Sequence, residues 1–173
     1  MTTLYTFCGL PFAGKSTAAK GLSVRTGWPI VQLDAINAER GVGLNGAPIA
    51  TEDWQRTYAE AYRCLANHLA DGQTVIFDHG NFSRRERDAV QEIARAAGAD
   101  VRFIYVRISV DEARHRLLRN REAHDRHDVR DDNFEQALEM FEPPNREPDV
   151  ADVVEGSTDS RPLPGRALTD MDL

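Results

Sequence analysis

Short apolar segments alternate along this chain with stretches in which apolar residues recur at helical spacing. Each of five apolar segments predicts a β-strand: TLYTFC (3–8), PIVQL (29–33), TVIF (74–77), VRFIYVRI (101–108) and DVADVVE (149–155). Apolar residues three and four positions apart predict helices over 15–25, 51–70, 83–97, 109–119 and around 134–141. The alternation predicts an α/β fold of three layers, in which helices flank a parallel core sheet of about five strands.

Two of the predicted helices begin at a serine that is followed by a glutamate three residues later. Ser83 with Glu86 and Ser109 with Glu112 both have this spacing, which is typical of a capping box. In a capping box each side chain accepts a hydrogen bond from the other residue's backbone N–H group. The pattern therefore predicts where these helices start.

The composition is that of one globular domain with an acidic balance of charge. The chain has 173 residues, of which 41% are hydrophobic and 28% charged, and its formal net charge is −7. This length fits one domain, predicted over residues 1–155, and the polar segment 156–173 predicts a poorly ordered tail. The negative charge argues against long nucleic acid and anionic membranes as partners.

Neither the N-terminus nor the cysteine content indicates export. No basic segment followed by an apolar core opens the sequence, and no apolar run reaches the length of a membrane span. Cys8 lies in an apolar run and Cys64 in a helical pattern, which predicts two buried thiols in a reducing compartment. We therefore expect a cytoplasmic protein.

The segment after the first predicted strand has the pattern G-x-x-x-x-G-K-[ST]. Its residues are Gly9, Leu10, Pro11, Phe12, Ala13, Gly14, Lys15, Ser16 and Thr17. Glycines let backbone N–H groups approach a phosphate chain, and the helix that follows offers its positive N-terminal end. Lys15 supplies a mobile cation for the outer phosphates, and Ser16 a hydroxyl ligand for Mg²⁺. The strand before the motif and the helix after it favour a phosphate-binding loop over a chance match in a turn.

Two aspartates stand at the ends of predicted strands. Asp34 follows the second strand and Asp78 the third, and parallel strands bring their carboxyl ends to one edge of the sheet. A carboxylate there can accept the proton of an acceptor hydroxyl or hold Mg²⁺ through water, whereas a helix cap or a turn is the structural alternative. The residues alone leave open which aspartate is the base and which is the metal or substrate ligand.

Residues 115–130 predict a helical, arginine-rich lid. The stretch NREAHDRHDVR (120–130) lacks apolar periodicity, so few buried contacts would hold it in place. We expect Arg116, Arg119 or Arg121 to reach the γ-phosphate when the lid closes and to stabilise the transferred charge. A solvated helix face is the alternative for each of these arginines.

Histidines and aspartates alternate within the same stretch. The residues are His124, Asp125, His127 and Asp128. No cysteine or further histidine accompanies them, so we interpret them as a polar face of the lid and not as a metal site.

Four segments, in their order along the chain, are similar to a known group of kinases: GLPFAGKST, VQLD, VIFDHGNFSRRERDAV and RLLRNRE. They resemble the P-loop kinases around polynucleotide 5′-hydroxyl kinase, an AAA-type ATP-binding group that includes chloramphenicol phosphotransferase and the zeta toxins. The resemblance covers about residues 3–155 and implies a P-loop NTPase fold with ATP and Mg²⁺ as the phosphoryl donor. It also implies that Asp34 is the general base, Asp78 a second active-site carboxylate, and Arg119 or Arg121 the lid arginine.

One position departs from the pattern of the polynucleotide kinases. Those enzymes have an arginine three residues after the base, where it holds a substrate phosphate, and this chain has Asn37 there. The departure and the acidic charge make a polynucleotide the less favoured acceptor.

Three functions follow from these features. The leading hypothesis is an ATP-dependent kinase that phosphorylates a hydroxyl group of a small molecule, such as a sugar, a nucleoside or an antibiotic. The alternatives are a kinase for 5′-hydroxyl ends of RNA or DNA and a nucleotide-binding switch or toxin-like partner protein. The acceptor would lie between the two aspartates and residues 38–62, where Trp54, Tyr58 and Tyr62 are interpreted first as core residues and second as aromatic walls of the pocket. The acceptor's identity, the choice of ATP or GTP and the oligomeric state are left open.

Overall fold

Five parallel strands form one sheet. The computed structural model describes residues 2–43, 47–123, 129–144 and 150–155. The strands are β1 (Thr3–Cys8), β2 (Ile30–Gln32), β3 (Val75–Asp78), β4 (Asp100–Arg107) and β5 (Val150–Glu155). They lie in the order β2-β3-β1-β4-β5, and every neighbouring pair is parallel. The loop after β1 therefore lies at the middle of the sheet edge, with the ends of β3 and β2 to one side of it.

Within these described ranges, six helices connect the strands. They are α1 (Lys15–Thr26), α2 (Leu33–Glu39), α3 (Thr51–Ala70), α4 (Arg84–Ala96), α5 (Val110–Ala123) and α6 (Asp131–Met140). The capping box predicted at the start of α4 is present, because Ser83 and Glu86 accept from each other's backbone N–H. At the start of α5, Ser109 Oγ accepts from the backbone N–H of Glu112 at 3.1 Å.

Alternate residues along the strands are buried on opposite faces of the sheet. On one face Leu4 and Phe77 pack with residues of α3 and α4, and on the other Phe7 and Ile76 pack with α1. Successive strand side chains point to opposite faces, so a strand buried on both faces is apolar throughout. The predicted three-layer fold with a parallel sheet of about five strands is confirmed.

The structure differs from the sequence prediction chiefly in α2 and at the end of α5. Helix α2 was not predicted: β2 ends at Gln32, and Asp34 lies in the first turn of a helix instead of at a strand end. Helix α5 continues to Ala123, beyond the predicted end at 119, because Asn120 extends its buried face. The predicted tail, 156–173, lies outside the described residues.

The two cysteines form no disulfide; Cys8 is buried and Cys64 is half-buried. Burial raises the pKa of the Cys64 thiol, and nearby Glu60 adds to the effect. Within the described ranges, no helix combines the length and the apolar character that a membrane span requires.

Candidate active site

The loop between β1 and α1 curves around the ammonium group of Lys15. Lys15 Nζ donates to the carbonyl oxygens of Gly9 at 2.8 Å and Leu10 at 2.6 Å. Gly9 has a φ of 140°, and a Cβ built on it would lie 2.4 Å from the carbonyl oxygen of Val106 in β4. Gly14, at the N-cap of α1, has a φ of 101°. The backbone thus makes a tight turn that ends at a helix N-terminus, which is the geometry that binds a phosphate chain.

Side chains of this loop anchor it to α5 and α6. Leu10 is buried in a cluster with Ala113 and Leu117 of α5 and Phe134 of α6, and Phe12 packs against the same cluster. Phe12 has a φ of 63°, a left-handed conformation that is uncommon for an aromatic residue. Burial of the loop's own side chains compensates for that conformation and fixes the loop against the two helices.

Arg116 connects α5 to the backbone of the same loop. Its Nη1 donates to the carbonyl oxygens of Phe12 at 3.1 Å and Ala13 at 3.5 Å. Its Nε pairs with Glu112, one helical turn earlier, at 2.6 Å. Arg116, one of the three arginines predicted for the lid, therefore contacts the phosphate loop directly.

Part of the predicted lid is a packed helix. Residues 115–123 belong to α5, on which Arg119 is exposed. Arg121 Nη2 lies 2.8 Å from a carboxylate oxygen of Asp131, so it ties the end of α5 to the start of α6. Residues 124–128, including the histidines and aspartates interpreted as a polar face, lie outside the described residues. Closure of the lid stays a prediction.

Ser16 and Asp78 meet at the opening of the loop. Ser16 Oγ donates to Asp78 Oδ1 at 3.1 Å, and Gln32 Nε2 donates to Asp78 Oδ2 at 2.7 Å. Gln32 belongs to β2 and pairs with Asp78 in the sheet, so neighbouring strands hold this carboxylate in place. A hydroxyl and a carboxylate oxygen side by side are the kind of donors that Mg²⁺ prefers. In the described part of the chain, no three His, Cys, Asp or Glu side chains form a metal-binding group.

Asp34 is close in sequence to Gln32 at this edge of the sheet, but its environment differs from that of Asp78. It is exposed in the first turn of α2, two residues after Gln32. A carboxylate in the first turn of a helix is favoured by the helix dipole. Asp34 is therefore accessible to a ligand, whereas both oxygens of Asp78 already accept hydrogen bonds.

A polar network fixes α2 to α3. Asn37 is buried, and its Oδ1 accepts from Thr57 Oγ1 at 2.5 Å. Arg40, at the end of α2, donates to Thr57 Oγ1 at 2.5 Å and pairs with Asp53 at 2.8 Å. The position at which polynucleotide kinases carry an arginine is thus occupied by a buried asparagine that bonds within the protein.

The loop after β3 is held by two buried polar residues. Asn81 has a φ of 44°, and its Nδ2 donates to Thr6 Oγ1 at 2.8 Å and to the carbonyl oxygen of Phe7 at 2.7 Å. Arg87 is 0% exposed, and its guanidinium donates to the carbonyl oxygens of Asn81 at 2.8 Å and Glu142 at 2.9 Å. These bonds fix the loop to β1 and to the segment that follows α6.

Aromatic side chains extend from Lys15 to α3. Lys15 Nζ lies 5.5 Å from the centre of the Phe82 ring, and Phe82 lies 6.5 Å from His79 between ring centres. His79 contacts Tyr58 of α3 edge to face at 5.4 Å, and Tyr58 lies 6.2 Å from Trp54. We call Phe82, His79, Tyr58 and Trp54 the aromatic row. Tyr58, Tyr62 and Trp54 also pack against the core as partly buried residues, as their first interpretation predicted.

A carboxylate lies beside this row. Glu86 Oε1 is 3.5 Å from His79 Nε2, and its other oxygen accepts from the backbone N–H of Ser83. Burial acts to raise the pKa of Glu86, but interaction with His79 and the donors of Ser83 outweigh burial and hold the pKa below its ordinary value. Glu86 is therefore ionised at neutral pH. Burial, together with this charge, raises the pKa of Tyr58 and Tyr62, so both keep their protons.

Several of these residues were not predicted from the sequence as part of the site: Gln32, His79, Phe82 and Arg87. A signal existed for Arg87, because it occupies the same helical face of α4 as buried Val90 and Ala94. Gln32 is the last residue of β2, and His79 and Phe82 closely follow β3, but their side-chain contacts depend on which strands are neighbours, and a single sequence does not give the strand order.

The loop around Lys15, the Ser16–Asp78 pair and the parallel sheet define a P-loop NTPase fold. The chain belongs to the AAA domain family, whose pattern it matches over residues 4–144. Among curated proteins, none is significantly similar in sequence.

Solved structures of kinases share the fold. A protein from Chloroflexus aurantiacus described as a kinase is 19% identical, covers 97% of this chain and 96% of its own length, and gives a TM-score of 0.76. A sugar kinase from a Janibacter species is 22% identical, with coverage of 98% and 94% and a TM-score of 0.65. A chain of the Pnkp1/Rnl/Hen1 RNA repair complex is 20% identical, with coverage of 80% and 43% and a TM-score of 0.67. At such identities the likeness is one of fold, and it confirms the predicted P-loop kinase architecture.

Proposed function

We propose that this protein transfers the γ-phosphoryl group of ATP to a hydroxyl group of a small molecule. The observation that carries the proposal is the phosphate loop folded around Lys15, with the Ser16 hydroxyl and the Asp78 carboxylate 3.1 Å apart at its opening. Loop, cation, hydroxyl and carboxylate are the parts that P-loop enzymes use for phosphoryl transfer. The fold shared with solved kinases supports the same class of reaction.

The residues present fit ATP and Mg²⁺. The loop backbone and the N-terminus of α1 bind the phosphates, and Lys15 exchanges its two carbonyl partners for phosphate oxygens. Ser16 and Asp78 supply oxygen donors for Mg²⁺, Asp78 directly or through water. The metal ion, when bound, neutralises charge that develops on the β- and γ-phosphates.

Asp34 is the better candidate for the base. Its carboxylate is exposed on α2 and can accept the proton of an acceptor hydroxyl. Both oxygens of Asp78 accept hydrogen bonds from Ser16 and Gln32, which suits a metal ligand better than a base. Arg116, which already contacts the phosphate loop, is the arginine best placed to reach transferred charge without a large movement of α5.

The test is ATP-dependent mass gain across a panel of hydroxyl compounds. We expect an increase of one phosphate on at least one small molecule. Lys15→Ala should abolish transfer and weaken ATP binding, and Lys20→Ala, on an exposed position of α1, is the matched control with the same loss of charge. Steady ATP hydrolysis with no phosphorylated product and a stable protein partner would support the switch-like alternative instead.

Two amide variants separate the roles of the carboxylates. Asp34→Asn should retain ATP affinity and lose about 10²–10⁴-fold in transfer, as is typical when a general base is removed. Asp78→Asn should weaken Mg²⁺ binding, so that transfer needs a higher Mg²⁺ concentration, and should also lower the rate. The reverse pattern would reassign the base to Asp78.

Phosphorylation of 5′-hydroxyl oligonucleotides would favour the polynucleotide alternative. A chain of an RNA repair complex has this fold. In the present protein, however, the position three residues after Asp34 is Asn37, which is buried and whose side-chain amide oxygen accepts a hydrogen bond from Thr57. Asn37 therefore provides no positive charge for a substrate phosphate. The small-molecule acceptor is accordingly the one we propose.

A further inference from the structure

The side of the phosphate loop on which an acceptor would bind follows from the strand order. The phosphate loop follows β1, and β3 and β2 lie to one side of it, with Asp78 and then Asp34 after their ends. Phe82 is 5.5 Å from Lys15 Nζ, and the aromatic row continues from it to α3. The row therefore begins where the transferred phosphoryl group would lie and extends away from it along the acceptor side.

The aromatic row offers ring faces and the polar atoms of its histidine, tyrosine and tryptophan rings. His79 is 7% exposed, and its Nε2 has no hydrogen-bond partner among the described residues, being 3.5 Å from Glu86 Oε1. Phe82, Tyr58 and Trp54 are only partly buried, so parts of their rings remain accessible. Partly exposed aromatic rings with a few polar groups are typical of sites for uncharged organic ligands.

Apart from Lys15 at the start of the row, the charges of α2, α3 and Glu86 are negative or neutralised. Residues 33–70, which include α2 and α3, carry five carboxylates and three arginines. Each of these arginines is paired: Arg40 and Arg56 with Asp53, and Arg63 with Glu60. The ionised Glu86 carboxylate adds a further negative charge beside His79. An anionic group on the acceptor would meet these carboxylates without an unpaired cation from α2 or α3 to balance it.

We infer that the acceptor is an uncharged or cationic hydroxyl compound, such as a sugar or an amino sugar without phosphate or carboxylate, which lies against the aromatic row. The inference rests on the proposed kinase function and names its substrate class. Selectivity would come from ring contacts with the acceptor and from repulsion between the carboxylates of the protein and an anionic ligand, because like charges at a binding surface disfavour binding.

The experiment compares matched acceptors that differ in charge. Each set contains a neutral hexose, its 2-amino sugar, its uronic acid and its 1-phosphate, so that the two anionic members lack different hydroxyl groups, and kcat/KM for ATP-dependent phosphorylation is measured for every member. We expect the neutral or amino member to exceed its anionic counterparts by about tenfold or more, the ratio that corresponds to one unfavourable charge contact in a partly buried site. A uronic acid or sugar phosphate that is phosphorylated as well as its neutral counterpart would overturn the inference and leave the proposed kinase function intact. ATP binding with no transfer to any acceptor would overturn both.

Variants of an α3 carboxylate and of the aromatic row test whether charge and ring contacts cause the selectivity. Asp53→Asn removes the partner of Arg40 and Arg56, so the relative kcat/KM for anionic members should rise by about two- to fivefold, as expected for one partly exposed charge. Glu92→Gln is the matched control, because it breaks an exposed pair with Arg95 on α4 and changes the net charge equally. Phe82→Ala should raise the acceptor KM and leave ATP affinity close to wild type. An unchanged charge preference in Asp53→Asn would contradict the role of the α3 carboxylates, and an unchanged acceptor KM in Phe82→Ala would contradict that of the aromatic row.

Discussion

Replacing Gly9 with alanine tests whether the phosphate loop depends on its close approach to the sheet. Gly9 has a φ of 140°, which L side chains rarely adopt, and a Cβ there would be 2.4 Å from the carbonyl oxygen of Val106. Val106 belongs to β4, which pairs with β1 on one side and β5 on the other. The sheet backbone cannot yield easily, so the loop has to move.

The expected loss of stability follows from the unfavourable φ at Gly9 and from the close contact with Val106. A residue held in a sparsely populated backbone region costs of order 1–3 kcal/mol, and relief of the contact displaces the loop from the position that Lys15 requires. We expect Gly9→Ala to lower the free energy of unfolding by about 2 kcal/mol or more, equivalent to a fall in Tm of about 4–8 °C in a domain of this size. ATP affinity should fall by at least about tenfold, because the loop's N–H groups no longer converge on the phosphates.

Two other glycines serve as matched controls in urea unfolding and in calorimetric titration with ATP and Mg²⁺. Gly14→Ala shares a strained φ of 101° but its Cβ would meet nothing within 4 Å, so it should show the strain without the clash. Gly21→Ala, in the middle of α1, has open space and an ordinary φ, and should stabilise the protein by up to about 1 kcal/mol. If Gly9→Ala matched wild type in both assays, the close approach would have no role in forming the site.

Three further variants and one measurement on wild type extend the test. Asp78→Asn should shift the Mg²⁺ concentration for half-maximal transfer upward by tenfold or so, whereas ATP binding without Mg²⁺ should stay unchanged. Arg87→Met removes the buried guanidinium that donates to the carbonyl oxygens of Asn81, Phe82 and Glu142, and should cost about 3 kcal/mol or more, seen as a Tm lower by about 6–12 °C; a Tm within 2 °C or so of wild type would contradict this role. The pKa of Glu86 is lowered in the folded protein, so its contribution to stability is complete above the ordinary value of 4.5 and is lost as pH falls through the folded pKa. Glu86→Gln, which can still cap α4, should therefore be less stable than wild type at pH 7 and closer to it at pH 3.5, as measured by urea unfolding. Hydrogen exchange within 115–123 should be slow without ligand, because α5 buries one face, and fast exchange there would instead favour the predicted mobile lid.

The fold could be predicted because its strands are buried on both faces and its long helices are amphipathic. Helix α3 was located at its observed bounds, since Ala61, Leu65 and Leu69 repeat at helical spacing over twenty residues. The phosphate loop was equally clear, because its chemistry requires a fixed spacing of glycine, lysine and serine. Strong periodicity and fixed spacing are both local properties of a sequence, and for this reason no tertiary information was needed.

Helix α2 could not be predicted on the same basis. It has seven residues, too few to show a repeat, and its buried face includes Asn37 beside Leu33 and Ile36. The hydrogen bond between Asn37 and Thr57 joins residues that are twenty positions apart and lie on different helices. The helix is therefore stabilised by contacts that exist only once α2 and α3 are packed, and the prediction placed Asp34 at a strand end as a result.

The polar residues that interrupt the hydrophobic pattern share a structural role. Asn37 and Arg87 occupy buried faces of α2 and α4, where an apolar residue would have made each helical pattern easier to recognise. Burial of a polar group is unfavourable unless it is hydrogen-bonded, so such a residue restricts its neighbours to the arrangement that satisfies it. Asn37 joins the helix of Asp34 to α3, and Arg87 joins the loop after β3 to the segment after α6. An apolar core would bind these elements together without fixing their relative positions so closely, whereas a phosphoryl-transfer site needs its groups held to within a fraction of an ångström. The positions that weakened the helix prediction are thus among those that set the geometry of the site.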